Sequence, residues 1–434
     1  MESLDQKNYN QKINYLTIDC IAIFIVKIII IFWLTVPVIS FISYETYKKI
    51  INNSLTPFKD FFFEYPPFFA LFNIFPFGLI KIENEFEHLL FINILMLIFE
   101  LIAMKISLKI LTKLNGNKIE ILKKMKFYFI WIFLTLCLSF FVYQCVEYAS
   151  VLIFTLGILF FDISNHKHNF KFYLLSIVGI FTKIISSLNL PLAVFFHSYE
   201  KSKTLSEFIF LTFKNTLFLI LLIFLATLTF EYFFDFKMIK DISSQFFRDI
   251  DVLSVSGSYV FLTNLIFDMK SEVFLSMNHA IKPNIYTNIF FATHLFKIIY
   301  FLFVLGVFII LAFNKKNNKQ IPIDLLLFTE GSATIILIFL SFHNVGSPQF
   351  IAYLIPVASI LAIHYRSKKL LYAFLIIFIF TTILFPLFHT NLIENNIIII
   401  SILIIRNLTI LFTCFYFIFK FYQKILKPLK NLPC

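Results

Sequence analysis

Glycine is scarce: 8 residues in 434, where average usage of about 7% would give roughly thirty. Phosphate-cradling loops and dinucleotide-binding turns are built from clustered glycines, so both are excluded. Charge is scarce as well, at 14% against about 25% in ordinary globular proteins. With 59% hydrophobic residues, the chain lacks the polar surface of a water-soluble fold. Cysteine is limited to Cys20, Cys137, Cys145, Cys414 and Cys434, with no C-x-x-C pair and no histidine at ligand spacing. Neither a disulfide frame nor a zinc site is indicated. Acids are the minority charge, 25 against 37 Lys+Arg for a net +12. In a membrane protein that excess marks cytoplasmic loops, not a nucleic-acid partner.

What is abundant is long apolar sequence. A bilayer core about 30 Å thick needs about 20 apolar residues per helical crossing, and runs of this kind occur near 19–43, 87–110, 127–145, 147–163, 206–234, 286–313, 322–342, 350–365, 370–388 and 396–420. The reading is an all-α polytopic membrane protein, a bundle of about 10–12 transmembrane helices forming one integral membrane domain over 1–434. The first run is long and has no small-residue cleavage site behind it, so it is read as an uncleaved anchor. The 63 phenylalanines stand where other apolar residues serve equally in lipid and carry no functional weight.

Lysines set the orientation. Lys105, Lys109, Lys113, Lys118, Lys123, Lys124 and Lys126 surround a single acid, Glu120, and that loop is expected inside. Counting back one helix puts 44–86 outside and the N-terminus inside. Counting forward keeps the later basic breaks and the C-terminal tail inside only if 172–198 does not cross. That stretch holds Lys183, Ser186-Ser187 and Pro191, and it reads as two half-length helices that enter and return. Broken helices at membrane depth are tolerated where they line protein or a wet cavity. The outer side then gathers 44–86, the turn at 144–148, the segment 235–285, the turn at 343–349 and the turn at 390–395.

Within the first outer segment, Pro57-Phe58-Lys59-Asp60 leads to Glu64-Tyr65-Pro66-Pro67. Each proline biases the residue before it toward extended backbone, which sets Asp60 and Glu64 on a stiff support; solvated loop acids would show the same spacing. A carboxylate set among phenylalanines is suited to general-base work. Ser347-Pro348-Gln349-Phe350 opens a later helix, where Pro348 is a routine initiator and Gln349 needs a partner for its amide. Inside apolar runs, Glu330 and Arg406 are read as each other's partner, and Glu100 with Lys105 as an in-helix pair.

Read together, P-F-K-D-F-x-x-E-Y-P-P from Pro57 and S-P-Q-F-x-x-x-L-x-P from Ser347 resemble the motifs of the glycosyltransferase family 87 proteins, polyprenol-phosphate-dependent mannosyltransferase-like enzymes of the GT-C superfamily. Thr182-Lys183 with Pro191, Arg248 to Ser254, and Arg406-Asn407 are similar to weaker family patterns in the same order. Phe350 and Tyr353 stand where the family usually has Tyr and Trp, and Glu147 is the nearest equivalent of a family Asp at an outer helix end.

The resemblance implies a GT-C-like bundle with a catalytic first outer loop, moving a hexose, mannose in the family, from a polyprenyl-phosphate donor to a glycan or lipid acceptor. Asp60 and Glu64 are then the catalytic candidates. Tyr65, Lys183, Arg248, Ser347, Gln349 and Glu147 are the substrate-binding ones, Lys183 and Arg248 serving the leaving phosphate. No metal ligand set is indicated, although a divalent ion beside the carboxylates is compatible with them. The membrane is the bacterial plasma membrane or an internal eukaryotic one, with both termini cytoplasmic. A transporter or flippase for a lipid-linked or small polar substrate is the alternative, and a non-catalytic family member a third.

Overall fold

A computed structural model of the protein describes residues 23, 25, 27, 44–45, 47–57, 59–61, 67–68, 82, 84–139, 147–161, 166–234, 236–243, 250–267, 269, 273–274, 280–282 and 289–426. The architecture is all-α. Hydrocarbon offers no hydrogen-bond partners, so an apolar chain at membrane depth must satisfy its own backbone, and helices do so locally.

The helices are α1 (Glu85–Leu114), α2 (Ile121–Cys137), α3 (Glu147–Phe160), α4 (His166–Thr182), α5 (Leu190–Lys201), α6 (Leu205–Phe233), α7 (Met238–Ser243), α8 (Val255–Ile266), α9 (Ile289–Lys316), α10 (Leu325–Phe342), α11 (Leu354–Tyr365), α12 (Lys368–Thr382), α13 (His389–Ile393) and α14 (Ile397–Leu426). A 3-10 turn over Ile184–Ser187 joins α4 to α5, and another over Pro348–Tyr353 runs into α11. Two short strands, Val273–Phe274 and Ala280–Ile281, pair antiparallel in the segment between α8 and α9.

Seven helical stretches among the described residues are long and apolar enough to cross a membrane: Glu85–Leu114, Leu205–Phe233, His294–Lys316, Leu325–Phe342, Pro348–Tyr365, Lys368–Leu387 and Ile397–Leu426. The protein is therefore multi-pass. The sequence reading named ten runs. Of the other three, 19–43 falls mostly outside the described residues, while α2 has 17 residues and α3 has 14. At about 1.5 Å per residue, the described part of α3 covers about 21 Å.

Local sequence explains where helices start. Asn84 accepts from Glu87 N at 2.9 Å and its amide donates to the Glu87 carboxylate at 2.9 Å, a reciprocal cap. Thr204 caps α6 through Glu207 N at 3.2 Å, and Glu207 reaches back to Lys203 N at 2.7 Å. Asp324 and Ser367 cap α10 and α12.

The interior is organised around α10, which is buried on nearly every face, with α14, α11 and α9 against it. The α1–α3 and α3–α4 packings build the other half. By contrast, α6 and α9 leave most of their apolar surface outward, as helices do when their surroundings are hydrocarbon.

Contacts define two ends of the bundle. At one, Tyr199 donates to the Lys319 carbonyl at 2.7 Å, Lys315 to the Ser202 carbonyl at 2.5 Å, and Asn314 to the Ile425 carbonyl at 3.2 Å. We term this the Lys424 end. At the opposite, Asp60 end, Thr382 donates to the Cys137 carbonyl, Asp251 N to the Asn344 carbonyl at 3.0 Å, and Lys237 to the Lys59 carbonyl at 3.1 Å.

Candidate functional site

The chain reverses direction at Lys183. Helix α4 ends at Thr182, Lys183 is in extended backbone, and α5 returns from Leu190 with Pro191 in its first turn. The bend is closed by serines: Ser186 Oγ donates to the Lys183 carbonyl at 2.8 Å and Ser187 Oγ to the Ser176 carbonyl at 2.6 Å. Gly179 makes room for them, since a Cβ there would lie 2.4 Å from Ser187 Oγ and 2.6 Å from Ser186 Oγ. The described residues of α4 and α5 number 17 and 12, about 25 and 18 Å of helix.

The reversal lies deep. Asn189 Nδ2 donates to Ser332 Oγ at 3.1 Å, close to the middle of α10, and Tyr300 of α9 donates to the Leu188 carbonyl at 2.7 Å.

Lys183, buried at the turn, donates to Glu147 Oε1, the first residue of α3, and its ammonium stands 4.6 Å from the centre of the Phe350 ring, within cation–π range. Glu147 is 1% exposed, and its Oε2 has no hydrogen-bond partner among the described residues. Ser150 Oγ donates to the Glu147 carbonyl at 2.9 Å. Tyr353, fully buried, turns its ring against Phe154 at 6.0 Å. Glu147, Lys183 and the Ser347–Phe350 turn, far apart in sequence, thus converge on one point.

Ser347 and Gln349 are half-buried on either side of Pro348, in the same turn. Gly346 lets that turn sit on its neighbour: a Cβ would fall 2.3 Å from the Cα and N of Ser254. Asp60 is exposed and is not among the side chains that meet at Lys183. Its Oδ2 accepts from Thr56 N at 2.7 Å, and its own N–H donates to the Thr56 carbonyl at 2.9 Å, a closed turn. The turn is tied to the segment after α6 by the Lys237–Lys59 bond. Further along, Phe68 packs edge-on to Phe230 at 5.5 Å, and Phe230 also touches Phe181 at 4.8 Å, two residues before Lys183. Glu64, Tyr65 and Arg248 lie outside the described residues.

Two of the sequence pairings are corrected. Glu330 does not meet Arg406; it takes Lys424 at 2.5 Å, Lys420 at 3.5 Å and the Tyr365 hydroxyl. Arg406 and Lys424 share α14 and are separated by 18 positions, about 27 Å of helix rise, so one acid cannot serve both. Glu100 does not pair with Lys105 but with buried Lys27 and the Trp131 indole N–H, the latter at 3.0 Å. Thr135 completes that cluster at 2.6 Å from Lys27. A lone lysine in an otherwise apolar first run was the signal available for Lys27.

Among the described residues, no group of three or more His, Cys, Asp or Glu side chains converges as metal ligands would. Chemically, the Lys183 site offers an ammonium and a half-satisfied carboxylate in an apolar setting. No family model, no curated protein and no solved structure matches the chain.

Proposed function

We propose that the protein is a membrane glycosyltransferase that moves a hexose, mannose by the resemblance, from a polyprenyl-phosphate carrier to a glycan or lipid acceptor on the outer face. The observation that carries this reading is the meeting of Glu147, Lys183 and the Ser347–Phe350 turn, all three named by the family resemblance. In the proposed reaction the acceptor hydroxyl oxygen attacks the anomeric carbon, and the bond from that carbon to the phosphate oxygen breaks. The phosphate leaves with the electron pair, and Asp60 takes the hydroxyl proton. Lys183 supplies positive charge to the leaving phosphate, with Glu147 holding the ammonium between turnovers. Glu64 and Arg248 are the second choices for base and cation.

Membranes containing wild type, Asp60→Asn or Glu64→Gln are incubated with radiolabelled polyprenyl-phosphate hexose and a lipid and glycan extract. Loss of transfer in Asp60→Asn by about 10²–10⁴-fold, at equal membrane content, is the expected result. A loss confined to Glu64→Gln moves the base to Glu64. The helix pair that turns back at Lys183 with a buried ion pair also fits a transporter. Substrate movement across vesicles without label transfer by any variant replaces the enzyme reading with that one.

A further inference from the structure

At the Lys424 end, α2 and α12 start next to each other and pack along their lengths. Glu120, just before α2, is hydrogen-bonded to Lys123 at 3.0 Å, which lowers its pKa, and Arg366 and Lys126 stand near enough to add to that effect. Lys368 and Lys369 follow Arg366 directly. Lys126, Arg366, Lys368 and Lys369 are exposed and form no ion pair among the described residues. Acids are sparse on both segments: between Glu100 and Glu147 the chain has Glu120 alone, and between Glu330 and Glu394 it has none. By contrast, Lys420 and Lys424 at the same end turn inward to Glu330.

These cations do not serve the helices that carry them. The positive end of a helix dipole favours acids in the first turn, yet neither α2 nor α12 has one there. Arg366 takes a left-handed conformation, φ 51°, which glycine or asparagine adopts more easily. What shares the surface with them is apolar. Ile121, Leu122, Met125 and Phe129 are exposed along one stripe of α2, and Lys126 lies in that stripe, one turn from Leu122. The long apolar run starts at Phe127, so the cations stand where hydrocarbon gives way to headgroups. Positive charge bordered by outward apolar side chains suits an amphiphile that carries an anionic group beside its acyl chains.

We propose that the α2–α12 edge at the Lys424 end is a docking surface for anionic phospholipid, with Lys126, Arg366, Lys368 and Lys369 at the headgroup phosphate and the apolar stripe of α2 along the acyl chains. The inference is independent of the transferase reading: the surface lies at the end opposite Asp60, and the lipid is bound there without being consumed. Full-length protein in dodecyl maltoside is titrated with radiolabelled dioleoyl phosphatidylglycerol in one arm and dioleoyl phosphatidylcholine in the other, and lipid retained through size-exclusion chromatography is counted. Wild type is expected to prefer phosphatidylglycerol by about tenfold. The combined variant Lys126→Gln, Arg366→Gln, Lys368→Gln and Lys369→Gln is expected to lose that preference. A control with the same loss of charge, Lys203→Gln, Lys214→Gln, Lys316→Gln and Lys319→Gln, removes exposed lysines from the α6 and α9 side and is expected to keep it within about twofold. If the combined variant does not fold, Lys126→Gln with Lys369→Gln takes its place, with an expected loss of about threefold. Equal retention of the two lipids by wild type, an undiminished preference in the folded α2–α12 variant, or an equal loss in the control overturns the proposal.

Discussion

At the scale of single residues, the buried ion pairs decide what the protein tolerates. Removing one member of a buried pair leaves an uncompensated charge and costs about 3–5 kcal/mol, whereas replacing both by apolar or neutral groups is often neutral. For Glu147 and Lys183 the expected outcome is therefore a cycle. Glu147→Leu and Lys183→Met each lower the unfolding midpoint in detergent, and the double variant recovers most of the loss. Denaturant titration of all four proteins checks this; additive losses would show that the two side chains do not depend on each other. Both residues were visible in the sequence as ionisable groups in or beside apolar runs. Their pairing was not, because it depends on how deep the reversal at Lys183, 36 positions after Glu147, sits in the bundle, which no periodicity encodes. The same blindness produced the Glu330–Arg406 pairing: both charges were correctly seen as needing partners, but Lys420 and Lys424 looked like an ordinary basic tail.

At the scale of elements, the α4–α5 hairpin does most to shape the site. Lys183, the serine pair and Pro191 each carry local signals that a continuous helix would reject. The structure adds what holds the hairpin down: Gly179 beneath Ser186 and Ser187, Ser332 on Asn189 and Tyr300 on Leu188. One consequence is sidedness. Lys203 and Asn317 follow helices whose ends are joined by the Lys315–Ser202 and Tyr199–Lys319 bonds, while Asn53 belongs to the Asp60 end. In a cysteine-free background, Lys203→Cys and Asn317→Cys are expected to react with an impermeant maleimide from one face of sealed vesicles and Asn53→Cys from the other. Labelling of positions 203 and 317 from opposite faces would overturn this sidedness.

At the scale of the whole molecule, composition was enough to establish a multi-pass helical membrane protein, because 59% hydrophobic residues leave no other way to satisfy the backbone. The count of spans was less legible. Runs 127–145 and 147–163 read as crossings by hydropathy, whereas the described helices within them, α2 and α3, have 17 and 14 residues. The last helix closes the bundle at the Lys424 end by bringing Lys420 and Lys424 to Glu330. A chain ended after residue 419 would leave Glu330, 1% exposed, with the Tyr365 hydroxyl alone. Its expected fate is loss of the monodisperse species in size-exclusion chromatography, rescued in part by Glu330→Gln; no rescue would assign the loss to missing apolar packing instead.

The three buried charge clusters also impose an order on synthesis. Glu147 emerges 36 residues before Lys183, so the lysine enters lipid with its carboxylate already waiting, only about 2–7 s behind at ordinary elongation rates. Lys27 waits 73 residues for Glu100, and Glu330 waits 94 for Lys424. During those intervals a lone charge sits in nascent apolar chain, where it must stay near a headgroup, take up or give up a proton, or be shielded by the insertion machinery. The segment carrying Lys27 and helix α10 are thus the ones whose insertion is completed by later partners rather than by their own hydrophobicity.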